Sequence, residues 1–235
     1  MPLSSAIARN VLIVGASRGL GLEFVRQYRA DGAKVTATAR ADDGLAAIAA
    51  LGAKPLKLDV ADAASASGLA WQVDGEAFDT VFYVSGVYGP RTAGMEPPSV
   101  DDFDAVMHTN VLGAMRVLPS VADALAPAVG GKPGARIGVV SSRMGSIGLR
   151  TSTVGWTYRA SKAAVNSVTK DASIAFAGRA LCVAFHPGWV RTEMGGAGAD
   201  IDASESIAGM RRALAELDDA RNGSFLNYDG TPLQW

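Results

Sequence analysis

Apolar residues fall along this chain in short unbroken runs, separated by longer stretches where they recur every three or four positions. Val11-Leu12-Ile13-Val14 is apolar throughout, the pattern of a strand buried on both faces. Residues 20–29 follow as a helix with Leu20, Phe24 and Val25 on one side. Residues 34–39 read as a second strand, 43–51 as a short helix and 55–58 as a third strand. A weakly patterned helix over 63–73 precedes a fourth strand over 80–84. One long helix is predicted over 101–125, stopped by Pro127. A fifth strand (136–140), a long helix (154–176), a sixth strand (181–185), a last helix (203–217) and an edge strand (223–226) complete the order.

This alternation predicts an α/β fold: a single Rossmann-type domain over 1–235, with a doubly wound parallel sheet of about seven strands and helices on both faces. In such sheets ligands bind beyond the carboxyl ends of the strands. The glycine-rich stretch 188–202 directly follows the sixth strand, so it is expected to act as a lid over that crevice.

Charge and composition narrow the function. A net charge of −1 provides no basic field for nucleic acid. No stretch is long and apolar enough to span a bilayer, and the first ten residues lack the apolar core of a signal peptide. One cysteine, Cys182, excludes an intramolecular disulfide framework and sits in an apolar run as a buried structural thiol. Two histidines without clustered Cys or acidic partners predict no metal site. A cytoplasmic protein acting on a small molecule is the expectation.

The chemistry lies in two motifs. Gly15-Ala16-Ser17-Arg18-Gly19-Leu20-Gly21 joins the first strand to the first helix, where backbone N–H groups and a helix N-terminus can cradle a pyrophosphate. The spacing differs from the usual Gly-x-Gly-x-x-Gly; a tight turn without ligand is the plain alternative. An NAD site usually carries an acid at the end of the second strand. Here that end reads Thr38-Ala39-Arg40, and Arg40 with Arg18 can pair with a 2′-phosphate, which predicts NADP(H).

Tyr158 and Lys162 stand one helical turn apart. A nearby ammonium lowers a phenol's pKa from about 10, suiting proton exchange with a carbonyl oxygen as hydride moves. Ser142, after the fifth strand, can hydrogen-bond that oxygen, with Ser141 and Ser146 as alternates. Asn110 interrupts a good helix and could hold a relay water after local unwinding, or sit on the surface. Trp156 and Trp189 either shape an apolar slot or simply pack.

Together these residues resemble the classical short-chain dehydrogenase/reductase family over essentially the whole chain. Segments 158–162, 186–196 and 223–230 are similar to its C-factor and sniffer-like carbonyl reductase branch. The resemblance implies an Asn110-Ser142-Tyr158-Lys162 tetrad and NADPH-dependent reduction of an aldehyde or ketone, or oxidation of the alcohol. It implies cofactor contacts from Gly15, Ser17, Arg18, Gly19, Leu20, Gly21, Arg40, Asp59, Val60, Ser85, Gly86, Pro187, Gly188, Val190 and Thr192, joined by Asn110, Tyr158 and Lys162. It also implies a homodimer or homotetramer built on the 101–125 and 154–176 helices. Three departures stand out: Tyr83-Val84-Ser85-Gly86 replaces Asn-Asn-Ala-Gly, Val14 replaces a threonine, and the gap from Ser142 to Tyr158 is longer. The competing readings are an NADP(H)-binding sensor with incidental activity and a sugar-nucleotide epimerase, for which the C-terminal part is short.

Overall fold

A computed structural model of the chain describes residues 9–92 and 95–235. Residues 1–8, expected to carry no signal peptide, lie outside the described residues. Seven parallel strands form one sheet in the order β3-β2-β1-β4-β5-β6-β7. They are β1 (Asn10–Val14), β2 (Lys34–Ala39), β3 (Lys54–Lys57), β4 (Thr80–Tyr83), β5 (Ala135–Val140), β6 (Ala180–His186) and β7 (Ser224–Asn227). The chain winds outward from β1 to β3, returns to pair β4 with β1, and winds the other way. The crevice at that reversal, between the ends of β1 and β4, is where a doubly wound sheet places its ligand.

β1 shows how the pleat divides the core. Leu12 and Val14 pack with Val81, Tyr83 and Val117 on one face, and Val11 and Ile13 with Phe24, Phe82 and Phe185 on the other. The helices are α1 (Gly19–Ala30), α2 (Asp42–Ala50), α3 (Ala63–Ser67), α4 (Leu69–Gln72), α5 (Val100–Met107), α6 (Gly113–Ser120), α7 (Trp156–Ala175) and α8 (Ala203–Ala215). Cys182 is fully buried in β6, and burial pushes its thiol up to about 12. Among the described residues no helix is long and apolar enough to cross a membrane.

The helix expected over 101–125 is not continuous. A π turn, His108–Leu112, separates α5 from α6, and the Tyr83 hydroxyl donates to the Thr109 carbonyl there (2.8 Å). The helix also stops at Ser120 rather than near Pro127. Residues 124–126 instead pair with Phe78, through Phe78 N–H to Ala124 O (2.7 Å) and Ala126 N–H to Phe78 O (2.8 Å). The weakly patterned 63–73 segment splits into α3 and α4 at Gly68.

Candidate active site

A groove of about 470 Å³ opens at the β1/β4 switch point. Its walls include Gly15, Ser17, Arg18, Gly19, Leu20 and Gly21 from the first turn, Arg40 after β2, Asp59 and Val60 after β3, Ser85 and Gly86 after β4, and Thr192. Gly15 has φ +90°, and a Cβ there would stand 2.4 Å from Ser85 Oγ. A Cβ on Gly21 would stand 2.0 Å from the Gly15 carbonyl oxygen. Both sites therefore require glycine, which leaves backbone as the groove's floor. No side chain caps the first turn of α1. Uncapped N–H groups at a helix start, a side-chain-free floor and two guanidiniums suit a pyrophosphate with an additional phosphate. Arg18 also faces Glu193 (3.3 Å), with both side chains largely exposed.

The groove meets a buried polar cluster at Gly86. A Cβ on Gly86 would lie 3.3 Å from both Asn110 Oδ1 and Lys162 Nζ. The structure brings Asn110, Ser142, Tyr158 and Lys162 together here, all of them buried. Tyr158 and Lys162 share a face of α7, and Lys162 Nζ lies 5.6 Å from the Tyr158 ring centroid while donating to the Val140 carbonyl (2.9 Å). The expected lowering of the Tyr158 pKa is not found. Burial pushes the phenol up to about 12, opposed in part by a hydrogen bond with Ser142. The same burial holds the Lys162 ammonium down to about 8.

The three serines differ in their partners. Ser142 Oγ accepts from Met144 N–H (3.1 Å), and the Ser142 hydroxyl favours the Tyr158 phenolate, partly opposing the effect of burial. Ser141 donates to the Lys162 carbonyl (3.3 Å) and Ser146 to the Trp235 carbonyl (3.1 Å). Asn110 sits on the π turn, where the backbone widens rather than unwinds. Its Oδ1 accepts from Val87 N–H (2.8 Å), and its Nδ2 donates to Val87 O and Ser161 Oγ (both 2.9 Å). Both amide hydrogens are thus engaged in tying the loop after β4 to α7.

Pro187, Gly188 and Val190 lie on the segment after β6, off the groove walls. The Pro187 carbonyl accepts from Ser206 (2.5 Å), and Val190 is buried in an isolated bridge to Ile201. Thr192 Oγ1 donates to Val190 O (3.4 Å) and accepts from Gly195 N–H (3.1 Å). Trp189 is half-exposed and its indole donates to Gly195 O (2.8 Å); Trp156 Nε1 is buried with no partner among the described residues. His186 is held down to about 4 by burial and then by the Arg143 charge. Among the described residues no group of three or more His, Cys, Asp or Glu could hold a metal ion.

Sequence reasoning missed the residues that stand in for the family's usual braces. Gly15 N–H donates to Thr38 Oγ1 (3.1 Å), so β2 supplies the hydroxyl that Val14 lacks. Tyr83, at the first Asn of the family motif, reaches the π turn instead. Tyr88 was also unmarked, and its ring stacks on Tyr158 with centroids 4.6 Å apart. An aromatic just past the end of a strand is the only trace it leaves in the sequence.

The profile of the short chain dehydrogenase family matches residues 9–200. The chain is similar to 1-hydroxy-2-glutathionyl-2-methyl-3-butene dehydrogenase of Rhodococcus sp. (strain AD45), 32% identical over 96% of this chain and 99% of that protein. It is similar to C-signal of Myxococcus xanthus, 36% identical over 54% of this chain and 74% of that protein. Among solved structures, it resembles a Burkholderia multivorans short-chain dehydrogenase/reductase with bound NADP (TM-score 0.85, 32% identity, 97% of this chain and 100% of that one). The carbonyl reductase Sniffer of D. melanogaster is comparable (TM-score 0.84, 28% identity, 97% and 99%). The parallel sheet, the glycine turn at its switch point and the matched profile agree: this chain belongs to the short-chain dehydrogenase/reductase family of oxidoreductases.

Proposed function

We propose that this oxidoreductase uses NADP(H) to interconvert a carbonyl compound and its alcohol, with Tyr158 as the acid/base. The observation that carries the proposal is the burial of Tyr158, Ser142, Asn110 and Lys162 in one cluster beside the groove at Gly86, with Lys162 Nζ 5.6 Å from the Tyr158 ring centroid on the same helix face. When bound, the cofactor supplies or accepts hydride. Gly15, Gly19 and Gly21 would let its pyrophosphate approach backbone N–H groups closely, and Arg40 and Arg18 would hold a 2′-phosphate. Asp59, Val60, Ser85 and Thr192 would bound the rest of its groove, and Pro187, Gly188 and Val190, on the segment after β6, would reach it only if that segment moved inward. The Burkholderia relative with bound NADP supports the cofactor choice.

At neutral pH Tyr158, held near 12, carries its proton, as a donor to a carbonyl oxygen must. Ser142 orients the phenol and can donate to the same oxygen. Lys162 brings positive charge beside the ring, Asn110 fixes the loop that closes the site, and the 188–202 segment acts as its lid. The Sniffer relative supports an aldehyde or ketone as substrate class. The protein is expected in the cytoplasm as a homodimer or homotetramer, and light scattering on the eluted peak would return a monomer mass if that is wrong.

The deciding experiment follows NADPH and NADH oxidation at a panel of aldehydes, ketones and diketones, with Tyr158→Phe in parallel. NADPH-preferring turnover that falls by about 10²–10⁴ in Tyr158→Phe is expected, with NADPH affinity retained. Near-normal turnover in that variant sinks the mechanism. Tight NADPH binding with silence at every carbonyl would favour a cofactor-sensing role.

A further inference from the structure

The tetrad leaves open what holds the Tyr158 ring. The phenol stands at the end of a rotatable side chain, and a helix backbone fixes only its root. One neighbour is Lys162, whose Nζ lies 5.6 Å from the ring centroid. The other is an aromatic face: Tyr88 stacks on Tyr158 with centroids 4.6 Å apart and planes 22° from parallel. An offset stack of this kind restrains a ring in tilt and rotation while burying it.

Tyr88 is itself held from several sides. Its neighbour Val87 has both backbone polar groups bonded to the Asn110 side chain (2.8 and 2.9 Å). Asn110 also donates to Ser161 Oγ, which donates to the Tyr158 carbonyl (2.8 Å). The loop therefore keeps register with the turn of α7 that carries Tyr158. Farther on, the Thr92 carbonyl accepts from Gly155 N–H (3.2 Å) at the start of α7. Gly155 takes a left-handed backbone there, and a Cβ on it would meet the Tyr88 hydroxyl at 2.5 Å.

Arg91 completes the arrangement. Its guanidinium carbon lies over the Tyr88 ring, 4.8 Å from the centroid, while Tyr158 stacks on the same ring at 4.6 Å. The same guanidinium donates to the Met194 carbonyl (2.9 Å), within the 188–202 segment. A chain of contacts therefore runs from that segment through Arg91 and Tyr88 to Tyr158.

We propose that Tyr88 is a positioning residue for Tyr158, and that Arg91 couples its hold to the seating of the 188–202 segment. This rests on Tyr158 being the acid/base. Lys162 on α7 also faces the Tyr158 ring, and Tyr88 and Arg91 approach from the loop after β4. Tyr88 is absent from the groove walls, so its loss should spare cofactor affinity.

The test uses full-length protein labelled with 3-fluorotyrosine, with the Tyr158 ¹⁹F resonance assigned by its loss in Tyr158→Phe. In the parent the stacked ring gives a broad or doubled signal away from that of free fluorotyrosine. Tyr88→Ala is expected to collapse it to one narrow line near the free position and to lower kcat by about ten- to a hundredfold at unchanged NADPH affinity. Tyr88→Phe, which keeps the aromatic face, should restore both readouts to within about threefold of the parent. Arg91→Met should leave Tyr88 in place and lower kcat by a few-fold, roughly three to five. A Tyr158 resonance unchanged in folded Tyr88→Ala overturns the proposal. If Tyr88→Ala does not fold, Tyr88→Leu removes the aromatic face at similar bulk and reads the same resonance. A parent protein without Tyr158-dependent turnover defeats the acid/base reading instead, and the resonance still reports whether Tyr88 holds the ring.

Discussion

The two ends of the crevice are built from opposite materials. The β1–α1 end is backbone and surface: a floor without Cβ atoms, an uncapped helix start, and exposed Arg18 and Arg40 at the rim. The α7 end is buried side chain: Tyr158, Lys162, Asn110 and Ser142, each tied to a named partner and each withdrawn from water. Water and salt reach the first end and screen it, so its contribution is many small contacts. The second end works where charge is costly, so single groups carry large effects.

The buried end should break hardest. Ser142→Ala is expected to lower kcat by about 10²–10³, the cost of losing one donor at a developing oxyanion. Ser141→Ala and Ser146→Ala, whose hydroxyls face the Lys162 and Trp235 carbonyls, should stay within about fivefold of the parent. Steady-state kinetics on the three variants tests this directly; a large loss in Ser141→Ala would move the assignment one residue along the strand end.

The next effect is a pH dependence of stability. Burial lowers the Lys162 pKa from 10.5 to about 8, so between those values the unfolded chain binds more protons than the folded one. Stability from this group therefore rises with pH from about 8 upward, because the folded state no longer carries a buried charge. Tyr158 works the other way above pH 10, where the folded state keeps its proton and the unfolded one loses it. Denaturant unfolding between pH 8 and 10 should show the parent gaining on Lys162→Met by on the order of 2–3 kcal/mol. A constant difference across that range would mean that Lys162 is not buried as a cation.

At the open end, Arg40→Ala should cost about ten- to a hundredfold in kcat/KM with NADPH, the range for one charge-assisted phosphate contact. NADH should be used as before to within about twofold, since its ribose carries no 2′-phosphate for Arg40 to meet. Equal losses with both cofactors would place Arg40 on the shared part of the dinucleotide.

The same contrast explains what could be read from the sequence. Strand runs and the Gly15–Gly21 spacing are local, and backbone chemistry shows through them directly. Tyr158 and Lys162 are also local, being one turn apart. Their protonation was not legible, because the burial that sets it comes from β5, the loop after β4 and the turn after Ser142, distant in sequence. The break at Asn110 was visible as a poor helix residue, but the π turn depends on Tyr83 and Val87 reaching it from β4 and the loop beyond. The end of α6 was misplaced for a similar reason: Pro127 is a local stop signal, while pairing of residues 124–126 with Phe78 is a long-range one.

The smallest effect involves the segment after β6, which carries Glu193. Arg18 pairs with Glu193 at 3.3 Å, with 75% and 76% of the two side chains exposed, so the pair itself should contribute no more than about 1 kcal/mol. On the proposed NADP(H) reading, Glu193 would compete with the 2′-phosphate for Arg18. Glu193→Gln should therefore tighten NADPH binding by a few-fold, at most about fivefold, and leave NADH binding unchanged. Raising salt from about 0.05 M to 0.5 M should erase that gain and narrow the NADPH preference, because both depend on charges within reach of screening ions. The ratio of parent to Tyr158→Phe turnover should not move with salt, since Ser142, Tyr158 and Lys162 are all buried. A salt-dependent ratio would show that the catalytic end opens to water during turnover, and the division between an exposed binding end and a sealed chemical end would then hold only at rest.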